Sequence, residues 1–170
     1  MAHIERESAD AVSIYINGRD LAAFPVRPGQ FMIVRFLVRG LWWQAHPFSL
    51  SMLPDGREIR ITVKELGDFT RQMSSVPVGP QVFIDGPYGV FTDLFSMSPK
   101  ALLIAGGIGI TPIRSLMEEM VRKGKDVVLL YANKTEKDIV FKQEIEAIGA
   151  AGGERPPAAR APKIVHVLSN

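Results

Sequence analysis

Near Ser98-Pro99 the hydrophobic pattern of the chain changes period, and that change restricts the fold more than any other feature. Before it, apolar residues alternate with polar ones in short runs. Glu58 to Lys64 is the cleanest: Ile59, Ile61 and Val63 fall on one face, Arg60, Thr62 and Lys64 on the other. Val12 to Ile16, Phe31 to Val38 and Gln81 to Asp85 read as further strands. Asn17-Gly18, Pro28-Gly29, Pro54-Asp55-Gly56, Val78-Gly79-Pro80 and Asp85-Gly86-Pro87 mark the turns. Many short strands with frequent turns predict an antiparallel β-barrel or sandwich. After the change, Ala101 to Ala105, Val127 to Tyr131 and Ile164 to Leu168 are compact apolar runs. Helical patterns lie between them, from Pro112 to Lys123 and from Glu136 to Ala150, where Phe141, Ile145 and Ile148 are spaced by four and three. Strand–helix–strand–helix–strand predicts a doubly wound parallel α/β sheet. Two units are therefore expected, 1–97 and 98–170.

The second unit reads as incomplete. A Gly/Pro/Ala-rich loop from Gly152 to Pro162 leads into the third apolar run, and the sequence ends directly after it. The second and third strands of such a sheet usually lie to one side of the first. Ala101 to Ala105 is then left with a bare flank, an association-prone edge that further sequence or another chain is expected to cover.

Composition narrows the function. Of 170 residues, 46% are hydrophobic and 22% charged, as in ordinary globular chains. A net charge of +2 gives no footprint for nucleic acid. The absence of cysteine excludes thiolate catalysis and cysteine-ligated metal centres, and His3, His46 and His166 lack ligand spacing, so no metal site is expected. No apolar run approaches the roughly 18 residues of a membrane span, and the polar start MAHIERESAD is no signal peptide. The expected location is cytoplasmic, or the cytoplasmic face of a membrane reached through a segment outside this chain.

Three segments carry chemistry. Ala105-Gly106-Gly107-Ile108-Gly109-Ile110-Thr111-Pro112 lies between a buried strand and a helix. Its glycines allow close backbone approach, Thr111 can cap the helix, and Pro112 suits the first helical position. Free amides and the helix dipole favour phosphate there, and Arg114, unfavourable beside the dipole, would be relieved by it. The segment is neither a P-loop nor the usual Rossmann fingerprint, and alone it is also a plain strand-to-helix turn. Gly67-Asp68-Phe69-Thr70-Arg71 can open a short helix with the Thr70 hydroxyl and Lys64 or Arg71 beside it. His46-Pro47-Phe48-Ser49 offers an aromatic and a hydroxyl to a planar ligand. For Trp42-Trp43 one buried ring and one exposed ring are expected.

Together these segments resemble the ferredoxin–NADP reductase superfamily, and within it the ferric reductase and NADPH oxidase branch. The resemblance covers essentially the whole chain in order: His46-Pro47-Phe48-Ser49-Leu50-Ser51, Ile61-Thr62-Val63-Lys64 through Gly67-Asp68-Phe69-Thr70, Gly86-Pro87-Tyr88-Gly89, and Gly106 to Pro112. It implies an FAD-binding barrel at 1–97 and an NAD(P)H-binding α/β unit at 98–170. Pro47 and Phe48 would pack by the flavin ring, and Ser49, the implied catalytic residue, would orient it near N5. Val63 and Lys64 would meet the ring edge and pyrophosphate, with Gly67, Phe69 and Thr70 on the phosphate and adenine side. Gly107, Ile108, Gly109, Thr111 and Pro112 would hold the nicotinamide nucleotide, and Asn133 and Lys134 the adenosine ribose. His46 stands where many soluble members carry arginine, which points to the ferric reductase branch and shifts the phosphate load to Lys64 or Arg71. The family's nucleotide unit continues past the equivalent of this end, through a Cys-Gly-Pro-type segment and a terminal aromatic. The implied reaction is hydride transfer from NAD(P)H to FAD, then electron release to haem, ferric iron or oxygen; the implied partner is an acceptor protein or domain, such as a membrane haem domain. A non-catalytic flavin- or nucleotide-binding regulatory module, or an inactive fragment, is the alternative.

Overall fold

The computed structural model describes residues 1–150 and 161–169. Its first part is antiparallel. Strands β1 (His3–Ser8), β2 (Ala11–Asn17), β3 (Phe31–Phe36), β4 (His46–Ser49) and β5 (Glu58–Lys64), the short helix α1 (Asp68–Gln72) and β6 (Val82–Tyr88) follow in order. They make two sheets, β1-β2-β5 and β4-β3-β6. A bridge between Leu50 and Ile61 joins them. The inward residues of β5, Ile59, Ile61 and Val63, share one core with Ile14, Met32, Val34 and Phe36.

The second part is a parallel sheet of β7 (Lys100–Gly106), β8 (Asp126–Asn133) and β9 (Lys163–Leu168), ordered β7-β8-β9. Helices α2 (Ile110–Arg122) and α3 (Lys142–Ala150) cover one face, where Leu103, Ala105, Leu129 and Tyr131 meet Ile113, Met117 and Ile145. The alternate residues face away. Leu102 and Ile104 are 60% and 67% exposed, beside Val128, Leu130 and Val165 in register. Among the described residues β7 keeps a bare flank, as the strand order predicts. No helix of the described residues is long and apolar enough to cross a membrane.

The structure differs from the sequence pattern in three places. β1 escapes the pattern, because an edge strand with exposed charges, His-Ile-Glu-Arg-Glu-Ser, hides its alternation. The helix expected from Glu136 is a 3-10 turn at Glu136–Asp138, then a break, then α3. The cause is burial of three consecutive apolar residues, Ile139, Val140 and Phe141. One helical face cannot bury three neighbours in sequence, and the chain turns at Phe141 with φ 61°. Trp42 and Trp43 are both exposed, while Leu41 takes the core position. The Gly152 to Pro162 loop lies, but for its last two residues, outside the described residues.

Gly29, in the turn before β3, is required by space. Its φ is +86°, and an added Cβ would lie 1.9 Å from the carbonyl oxygen of Phe91.

Candidate functional site

β7 delivers the glycine loop to the carboxyl end of the parallel sheet, where ligands of doubly wound folds bind. Gly107–Gly109 forms a 3-10 turn that runs into α2. Gly107 has φ +48°, with open space where a Cβ would project. The helix starts earlier than expected. Gly109 is its N-cap, so Thr111 and Pro112 are its second and third residues. The Thr111 hydroxyl donates to the Ile108 carbonyl at 3.1 Å, and Pro112 fills a first-turn position whose N–H would have no helical partner. The Tyr131 hydroxyl donates to the Gly107 carbonyl at 3.2 Å and accepts from the Val140 amide at 3.2 Å. The loop is thus tied to the break ahead of α3.

Across from this loop stands β4. Pro47, Phe48 and Ser49 face Ile108, Gly109, Thr111 and Pro112 over a cavity of about 330 Å³ whose remaining wall includes Thr62, Val63, Lys64 and Thr70. A second cavity of about 550 Å³ adjoins it and is lined by Lys64, Gly107, Asn133, Lys134, Asp10 and Asp138 among others. Lys64 and Leu66 border both, so the two form one crevice. Asn133 is buried, and neither atom of its side-chain amide has a hydrogen-bond partner of ordinary geometry. Such an amide is costly unless a ligand satisfies it. A third cavity, about 540 Å³, lies at the opposite, amino-terminal end of the parallel strands by Leu102 and Val128.

Local geometry fixes several side chains. Lys64 is held by Asp10 at 3.1 Å. The Thr70 hydroxyl accepts from the Leu66 and Gly67 amides, both at 2.9 Å, and donates to the Gly67 carbonyl. Three sequence-derived candidates line neither cavity. His46 packs against Phe69, ring centroids 3.8 Å apart and tilted by 30°, and its Nε2 pairs with Gln44. Phe69 is buried in the antiparallel core behind Phe48. Gly67 is the N-cap of α1. These three support the wall from behind.

The two parts are stitched beside the crevice. Arg60, 2% exposed, reaches from β5 to Glu144 of α3 with two hydrogen bonds, 2.7 and 2.9 Å. It also donates to the Ser51 carbonyl at 2.6 Å and lies over the Phe141 ring at 4.5 Å. Arg114 is not free for phosphate: the earlier start of α2 puts it fifth in the helix, beyond the first turn, and it pairs with Glu118 at 2.6 Å and Glu144 at 2.9 Å. Burial works against the Glu144 carboxylate, but the two arginines hold it below the usual carboxylate range. Ser115 of α2 donates to the Leu50 carbonyl at 3.0 Å and accepts from the Gly29 amide at 3.3 Å.

Sequence reasoning missed Thr62, Leu66, Asp10 and Asp138 as lining residues. Thr62 was legible as a polar position on β5. The others lie in turns, where no period points.

Comparison with known proteins matches the FAD-binding domain family over residues 2–92 and the oxidoreductase NAD-binding domain family over residues 103–167. A "Probable dihydroorotate dehydrogenase B (NAD(+)), electron transfer subunit" of Methanothermobacter thermautotrophicus is 33% identical over 147 residues, 84% of this chain and 51% of that protein. An NADPH oxidoreductase of Mycobacterium tuberculosis is 30% identical over 155 residues, 86% of this chain and 41% of that protein. In structure, a flavohemoglobin of Malassezia yamatoensis with bound FAD and heme superposes with a TM-score of 0.79 at 18% identity, covering 99% of this chain and 44% of that one. The chain spans about half, or less, of the length of the curated relatives it matches.

Proposed function

Because the chain belongs to the ferredoxin–NADP reductase superfamily through its FAD-binding and NAD-binding domains, we propose that it is an electron-transfer module that takes hydride from NAD(P)H onto FAD and passes electrons to a separate acceptor. The crevice carries this reading. The Pro47-Phe48-Ser49 wall faces the glycine loop across one cavity, and Lys64 connects it to a second, polar one. The residues fit both groups: an apolar wall with one hydroxyl for a flat ring, a cation and a glycine turn for phosphates, and an unsatisfied buried amide for a ribose. Bound flavin would supply the conversion of a hydride into single electrons.

The chain's own task is placement. Pro47 and Phe48 give the ring a surface, Ser49 offers its hydroxyl to the reacting edge, and Val63 and Lys64 meet the ring edge and pyrophosphate. Thr70 shapes the turn around the phosphates, with Gly67 and Phe69 behind it. Gly107, Ile108, Gly109, Thr111 and Pro112 present the nicotinamide nucleotide, with Asn133 and Lys134 at its ribose. His46 is packed on Phe69, which leaves Lys64 as the cation common to both cavities and supports the ferric reductase branch. The acceptor is a haem, ferric iron or oxygen, and a membrane haem domain suits that branch.

The test is anaerobic. The purified chain, reconstituted with FAD, is expected to turn yellow and to bleach on addition of NADH or NADPH. A flavin that binds but resists both leaves a non-catalytic binding module; a chain that binds no flavin overturns the reading. Lys64→Ala and Thr70→Ala are each expected to weaken FAD binding about tenfold by titration, the loss of one charge-assisted contact or of the turn that holds it. Unchanged affinity in both would remove Lys64 and Thr70 from the site.

A further inference from the structure

A row of hydroxyls leads off from the wall of the ring cavity. Thr62, on the cavity wall, lies opposite Ser13 in the β2–β5 ladder. Their hydroxyl oxygens are 2.8 Å apart. Thr62 also sits 2.8 Å from the Ser51 hydroxyl, which donates to the Arg60 carbonyl at 3.1 Å. Ser13 in turn hydrogen-bonds to the Glu7 carboxylate. Ser13 and Ser51 are wholly buried, and Glu7 is half-buried.

Glu7 is aimed at this row by a backbone irregularity. Arg6 pairs with Val12 and Ser8 with Ala11, so Glu7 is the extra residue of a β-bulge. Bulges commonly re-aim a side chain beside a functional site. Glu7 is faced by Glu5 from its own strand, Ser13 from β2, Arg60 from β5 and Glu144 from α3, and burial above all raises its pKa.

Counting hydrogens shows what the row does. Glu7–Ser13, Ser13–Thr62, Thr62–Ser51 and Ser51–Arg60 carbonyl make four contacts. Three hydroxyls supply three hydrogens. With Glu7 ionised, one contact has none. With Glu7 protonated, every contact is filled in a single direction, from Glu7 to the Arg60 carbonyl. The row is therefore complete or one hydrogen short, according to one proton on Glu7.

Hydride chemistry at the neighbouring cavity produces such a proton. Each reduced nicotinamide that ends as an oxidised nicotinamide and two single electrons leaves one proton over. Resting on the flavin reading above, we propose that Thr62, Ser13 and Glu7 form the exit for that proton. A proton reaching Thr62 Oγ1 from the cavity displaces the threonine hydrogen to Ser13 Oγ, and the serine hydrogen passes to Glu7 Oε1. Only O–H bonds form and break. The carboxylate becomes neutral and releases the proton to water from its half-exposed side chain, while both electrons go to the one-electron acceptor. Ser51 holds Thr62 in line. Glu7 is a proton acceptor acting through the hydroxyls and touches no cofactor.

The test uses the FAD-loaded chain reduced with dithionite and mixed with ferricyanide over pH 5–9. At saturating FAD, Thr62→Val is expected to slow re-oxidation about tenfold, Thr62→Ser to restore the parent rate, and Glu7→Gln to be slow with a flat pH profile. Parental rates and profiles in Thr62→Val and Glu7→Gln would overturn the proposal. A readout free of flavin stands beside it: the Glu7 carboxyl titration followed by NMR in the chain without cofactor. Ser13→Ala is expected to raise its midpoint, since it removes a hydrogen bond to the carboxylate, and Thr62→Val to lower it, since without Thr62 protonation no longer fills an otherwise missing contact. A midpoint moved by Ser13→Ala but not by Thr62→Val would show the row disconnected and would equally overturn the exit. A chain that binds no FAD sinks the flavin reading alone and leaves the titration to judge the row.

Discussion

Glu144→Ala is expected to lower stability by about 2–3 kcal/mol, read as a fall in the urea midpoint with an unchanged slope. Breaking a buried ion pair by removing one partner costs about 3–5 kcal/mol, because the other charge stays behind unpaired. Arg60 is 2% exposed and would be that stranded charge. The lower figure reflects the Glu144 side chain, which is 34% exposed. Arg60→Met is expected to cost less than half as much, since it leaves no unpaired charge in the seam: Glu144 keeps Arg114 at 2.9 Å. The pH dependence has a definite sign. The folded-state pKa of Glu144 lies below its ordinary value. Its contribution is therefore full above the unfolded carboxylate value of about 4.3 and is lost as pH falls through the lower folded value. Glu144→Gln should flatten that acid limb, and an acid limb identical to the parent's would show that the pair does not contribute.

Phe69→Ala is expected to cost about 3–5 kcal/mol and to weaken FAD binding more than tenfold, measured by denaturation of the cofactor-free chain and by flavin titration. A core phenylalanine truncated to alanine leaves a cavity that its neighbours close only in part. Those neighbours include the wall residue Phe48, 6.5 Å away between ring centroids, and its supports His46 at 3.8 Å and Phe36 at 6.5 Å. Phe69→Leu refills most of the volume and should recover most of both losses. Full stability loss with FAD affinity intact would separate the wall from its support.

Much of this architecture is legible in the sequence because period carries it. The alternation of Glu58 to Lys64 gives a strand, and the apolar runs with intervening helical spacing give β7, β8 and β9. The glycine loop is placed between strand and helix by its neighbours. Other features depend on tertiary contact. Arg60 and Thr62 fall on the polar face of that alternation, yet both are buried because α3 and Ser51 close over that face. Arg114 reads as a phosphate ligand until Glu144, thirty residues on, arrives beside it. Phe69 sits inside a binding motif but acts through packing, since the backbone turn at Gly67 sends its ring inward. Glu7 carries no sequence signal, because its direction is set by a bulge in strand pairing.

The bond from the Gly29 amide to Ser115 also has a temporal meaning. An amide in a turn ordinarily exchanges its hydrogen with water at once, being neither in a helix nor in a ladder. This one is buried, and its acceptor belongs to α2, on the far side of the seam. It would meet water only if α2 lifted from the antiparallel part, and the same lift would break the Ser115 bond to the Leu50 carbonyl, one residue beyond Ser49. The exchange of one glycine hydrogen therefore keeps time for the breathing of the whole crevice.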